Sequence, residues 1–111
     1  MDAVCMVMTA VDSEALAEML ARQLVEARLA ACVQLMPVKS FYVWQGESRK
    51  EAEYLLLVKT RAALYAQVES FILAHHPYDT PEILQLPVVA GASVYLQWLG
   101  ASTQGTGEQA L

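Results

Sequence analysis

From Ala3 to Thr9 the chain is almost continuously apolar, with Val4, Met6 and Val7 in one run, the pattern of a strand covered on both faces. The period then changes. Asp12 and Ser13 are good N-cap residues, Glu14 is placed to meet a helix dipole, and Leu16, Leu20, Leu24 and Ala27 repeat on one face. This predicts a helix to about Arg28. A second strand starts near Ala31 and runs through CVQLM, where Pro37 demands a bend or an edge position. It resumes over residues 40–44. The segment QGES (45–48) reads as a turn, so Glu53 to Thr60 (EYLLLVKT) becomes the returning strand of a long hairpin. Leu64, Val68, Phe71 and Ile72 mark a second helix, which must end by His75 because Pro77 disfavours helical geometry at His76. Ile83 to Val89 predicts a fourth strand and Val94 to Leu99 a short terminal helix. The polar, Gly-bearing stretch from Ser102 to Leu111 predicts a frayed, flexible tail behind a single domain at 1–101.

The predicted order is β-α-β-β-α-β plus a short C-terminal helix. Right-handed crossovers turn that order into an α+β, ferredoxin-like split β-α-β sandwich, with an antiparallel sheet carrying two helices on one face. The other face should then be polar, and here it is not. Phe41 and Val43 alternate with Tyr42 and Trp44, while Tyr54, Leu56 and Val58 alternate with Leu55 and Leu57. Large apolar groups therefore occupy both faces, and a neighbouring subunit is the expected cover.

Composition supports that expectation. Of 111 residues, 56% are hydrophobic and 17% charged, against about 25% charged in an average domain. A chain of this size buries only about two-thirds of its unfolded surface. The net charge is −5, with seven Lys and Arg in all. That balance provides neither the basic stripe of a nucleic-acid binder nor a polybasic membrane anchor. The N-terminus carries an acid where a signal peptide carries a base, and no run has the length of a membrane span. Cys5 and Cys32 stand alone, without CxxC spacing. A soluble, cytoplasmic, reduced protein is expected.

Candidate chemistry starts at HHPYDTPEI (75–83), which holds both histidines. His75 at a helix C-terminus is favoured by the dipole. His76, extended before Pro77, projects elsewhere, and a copper or zinc site normally needs three or four convergent ligands. The residues alone leave a metal site and a helix-ending histidine both open. A second constellation is Trp44, Lys59, Tyr78, Glu82 and Trp98. Lys59 shares strand parity with Leu55 and Leu57, and Glu82 is its candidate ion-pair partner. These five are either packing and snorkelling residues or a subunit-interface cleft for a small anion or metabolite. Cys32 reads as a small buried hydrophobe, and Glu51 and Glu53 as a solvated strand edge. No Gly-rich phosphate loop, GxSxG elbow, HExxH or CxxC occurs, so no enzyme activity is expected.

The segments RLAACVQL, SFYVWQGE, LLLVKT, HHPYDTPEILQLPV and YLQWL, in that order and spacing from about residue 3 to residue 100, resemble the CutA family of divalent-cation tolerance proteins. The resemblance implies a ferredoxin-like subunit in a tight homotrimer, its long hairpin embracing a neighbour. It also implies copper, or another divalent cation, bound through the histidine pair and a cysteine near the end of the first strand. His75 and His76 match that pattern. Met8 stands where the cysteine would be, and a thioether is a far weaker ligand than a thiolate. Cys5, three positions earlier, faces the opposite way. Two functional readings result. One is a metal-binding trimer contributing to the response to metal ions, with His75, His76 and Met8 as its site. The other is a ligand-sensing trimer reporting to a protein partner, for which the trimeric P-II signalling proteins are an analogy of fold alone.

Overall fold

Alternation governs the middle of the first strand, β1 (Val4–Val11). Cys5, Val7, Thr9 and Val11 are buried on one side, while on the other Met6 and Met8 are half covered between the buried ends Val4 and Ala10. The computed structural model describes residues 3–105. Helix α1 (Glu14–Glu26) begins at Ser13, whose Oγ accepts the Leu16 N–H at 3.2 Å, and lays Ala17, Leu20 and Leu24 on β1 and its neighbours. The chain then forms a long hairpin of β2 (Cys32–Trp44) and β3 (Glu47–Arg61), turning at Gln45 and Gly46. A short 3₁₀ turn leads into α2 (Tyr65–His75), followed by β4 (Ile83–Pro87) and α3 (Ser93–Ala101).

The sheet is antiparallel with strand order β2-β3-β1-β4, which is the split β-α-β arrangement that the element order predicts. Val68 and Ile72 of α2 join Leu20 and Leu24 of α1 over Val7, Val11, Leu56 and Val58 to form the core.

Three boundaries differ from the sequence reading. Pro37 takes the edge position that was one of its two expected places, but β2 runs unbroken from Cys32 to Trp44 instead of stopping and resuming at Ser40, because the outermost strand can lose one N–H on its free edge without breaking a ladder. β3 starts at Glu47 rather than Glu53, so the hairpin is longer than its apolar half suggests. The third concerns the expected tail. Ser102 to Gly105 is docked, while residues 106–111 lie outside the described residues. Thr103 is fully buried and its Oγ accepts from Arg61 Nε at 2.9 Å; the Gln104 carbonyl accepts from the other end of the same guanidinium. Gln104 in turn donates to the Arg28 and Ala27 carbonyls.

β1 pairs with β3 only as far as Val11 opposite Tyr54. Beyond that point Val38–Trp44 and Glu47–Glu53 project as a two-stranded ribbon. The molecule is accordingly drawn out to 52 × 26 × 20 Å, with a radius of gyration of 15.0 Å, against about 13 Å for a compact chain of 100 residues. Phe41 (72% exposed) and Val43 (69%) lie on this ribbon without cover.

Candidate functional site

Helix α2 stops because His76 must be extended ahead of Pro77, and it is (φ −82°, ψ 132°). The two histidines then part. His75, exposed, stacks on Phe71 one turn back with ring centroids 4.4 Å apart, and its Nδ1 meets the Phe71 carbonyl at 2.9 Å. A carbonyl can only accept, so Nδ1 carries the proton and Nε2 presents its lone pair outward. This is the tautomer and support that a metal-ligating imidazole usually has. His76 is used up inside the chain. Its Nε2 donates to the Ala10 carbonyl at 2.8 Å, at a position of β1 that β4 does not reach, and its Nδ1 accepts the Tyr78 N–H at 3.3 Å. Neither ring nitrogen of His76 has a lone pair left.

Met8 is half-buried on the sheet face away from the helices, between Leu57 and Leu84 on the adjacent strands. His75, on α2, lies on the other side of the sheet. The chain therefore does not gather His75, His76 and Met8 around one point. Among the described residues no three His, Cys, Asp or Glu side chains converge closely enough to hold a metal ion. A closed three- or four-ligand site does not fit this donor set; a single imidazole with open positions does.

A cleft lies between the projecting ribbon and the loop that follows α2. Its volume is about 710 Å³. Ser40, Phe41, Tyr42 and Trp44 form the wall from β2, Glu51 and Glu53 that from β3, and Asp12, Tyr78, Asp79, Thr80 and Glu82 close the far side. Tyr78 links the two sides: its hydroxyl donates to Glu53 Oε2 at 2.7 Å, and its ring meets His76 edge-on at 4.6 Å. Burial, and then the hydrogen bond and charge of Glu53, hold the Tyr78 hydroxyl protonated well above the ordinary tyrosine value.

Of the five residues expected to form a ligand cleft, Trp44, Tyr78 and Glu82 line it. Lys59 and Trp98 do not. Lys59 sits further along the sheet between Met6 and Cys32, with no ion pair to Glu82, and Trp98 packs beside Tyr95 on α3. Glu53 was expected at a solvated edge, but it is 7% exposed. Its signal in the sequence is parity, since it shares a strand face with Leu55 and Leu57. What buries it, Tyr78, lies 25 residues away.

A ferredoxin-like fold with an overlong hairpin and a histidine-bearing helix end defines the class, and comparison with known proteins places the chain within it. The family described as CutA1 divalent ion tolerance protein matches residues 5–102. The "Divalent-cation tolerance protein CutA" of Pectobacterium atrosepticum is 45% identical over 102 residues, covering 91% of this chain and 92% of that protein. The solved CutA1 of Oryza sativa superposes with a TM-score of 0.91 at 35% identity, covering 95% and 97% of the two chains. That of Thermus thermophilus gives 0.86 at 44% identity, covering 90% and 98%. The chain belongs to the CutA1 divalent ion tolerance family.

Proposed function

We propose that this protein takes part in divalent-cation tolerance as a homotrimer whose subunits each offer His75 Nε2 to an exchangeable metal ion. The observation that carries this reading is the contrast between the two imidazoles: His75 is braced through Nδ1 with its other nitrogen free, whereas both nitrogens of His76 are engaged by backbone. Cu(II) is the best candidate ion, since imidazole sites favour it over other first-row divalent metals. With one imidazole per chain, affinity is set by water and by whatever a neighbouring subunit adds. The trimer is supported by uncovered apolar groups on the ribbon (Phe41, Val43), on β4 (Leu84, Leu86) and on α3 (Val94, Trp98).

Calorimetric titration of the purified protein with Cu(II) and Zn(II) tests the assignment. His75→Ala should abolish the heat of binding, and His76→Ala should leave the per-chain affinity within about twofold, a shift well under 1 kcal/mol. Unchanged binding in His75→Ala would place the ion elsewhere.

A further inference from the structure

The C-terminal ends of α1 and α3 cap each other. Neither helix carries a basic residue in its own last turn, so the carbonyls that a helix C-terminus leaves unpaired must be met from elsewhere. Two backbone bonds close α1, from the Arg28 N–H to the Val25 carbonyl and from the Leu29 N–H to the Leu24 carbonyl. They put Arg28 in the left-handed region, at φ 58°, a position where such a helix end ordinarily has glycine. Here the side chain is used. Arg28 Nη2 donates to the Ala101 carbonyl at 2.8 Å and Nε to the Ser102 carbonyl at 3.3 Å, both at the end of α3. The return contacts come from Gln104, whose N–H donates to the Arg28 carbonyl at 2.8 Å and whose Nε2 donates to the Ala27 carbonyl at 2.9 Å. Arg61 adds a tie from β3 to Thr103.

The other end of α3 is held by much less. Ala92, at its N-cap, makes no side-chain hydrogen bond, residues 88–92 have no regular structure, and residues 84–95 are all exposed. Leu99 is the one buried side chain of the helix. A segment with little buried apolar surface, whose polar ties are gathered at one end, opens at a lower free energy than the core it rests on.

We propose that residues 93–105 form a strap, hinged at 88–92 and latched at its far end by Arg28 and Gln104, which opens as a unit while the sheet and α1 stay folded. Opening carries the exposed Val94, Tyr95 and Trp98 along together, so the latch fixes where that apolar surface stands.

Amide hydrogen exchange on the full chain in its assembled state tests the latch. In the wild type the Ser102 and Gln104 amides should share one protection factor, below that of the β1 and β3 amides. Arg28→Gly removes the guanidinium and supplies the residue that the end of α1 prefers. It should lower the protection of Ser102 and Gln104 by ~tenfold or more, the loss expected for hydrogen bonds from a charged group. The Leu29 and Ala30 amides and those of β1 and β3 should keep theirs, which a general destabilisation would not allow. Gln104→Ala, which cuts the clasp from the other side, should lower protection at Ser102 in the same way. The proposal is overturned if the Ser102 and Gln104 amides exchange only with β1 and β3 in the wild type, as when a neighbouring subunit pins the strap. It is equally overturned if neither variant changes their protection.

Discussion

His75 and His76 show how adjacent residues of one type acquire different roles. Their divergence is legible from the sequence, because a helix that must stop before Pro77 sends consecutive side chains apart. Which of the two keeps a free nitrogen is not legible, since the decisive acceptor is the Ala10 carbonyl, 66 residues away. His76 is predicted to be structural. His76→Ala should lower unfolding free energy by ~1–3 kcal/mol through the unsatisfied Ala10 carbonyl and Tyr78 N–H, as read by urea denaturation, whereas His75→Ala should cost much less. Tyr78 carries the pH prediction. Its hydroxyl, and that of Tyr65 through its bond to Glu69, titrate above the ordinary value of 10 in the folded protein. The folded state therefore holds these protons more tightly than the unfolded chain. The stability they contribute is complete below pH 10 and is lost as pH rises beyond it. Urea midpoints measured across that range should fall in the wild type and fall less steeply in Tyr78→Phe; identical slopes would remove Tyr78 from the account.

At the scale of elements, the apolar pattern located the helices and strands, most legibly β1, β3, α1 and α2, which bury one face against a shared core. It failed where burial comes from elsewhere. The outer half of the hairpin (SRKEAE on β3) has no core to face and so leaves no alternation to read. Thr103 and Gln104 look like tail residues, and groups far away in sequence tie them down: the Arg61 guanidinium, and for Gln104 also the Ala27 and Arg28 carbonyls. Thr103→Val should accordingly cost ~1–3 kcal/mol, because it leaves a buried guanidinium N–H without its acceptor. Thermal unfolding would detect the loss, and an unchanged midpoint would show that the docked segment contributes nothing. The hairpin turn offers the opposite sign. Gln45 (φ 53°) and Gly46 (φ 80°) both occupy the left-handed region, the geometry of a two-residue type I′ turn that favours Asn-Gly. Gln45→Asn should therefore raise stability by ~0.5 kcal/mol, measured by the same denaturation assay.

Taken as a whole, a 52 Å long chain with bare aromatic and aliphatic groups on its ribbon, β4 and α3 is poorly suited to exist alone. The apolar surplus on both sheet faces is visible in the sequence, and the structure adds where it collects: on the parts that reach beyond the core. Assembly and metal binding can be read together by native mass spectrometry of the protein with Cu(II). The account predicts a trimer of the 12.2 kDa chain carrying copper, the same trimer without copper in His75→Ala, and a copper-bearing trimer in His76→Ala. A folded single chain at micromolar concentration, or copper retained in His75→Ala and lost in His76→Ala, would contradict it.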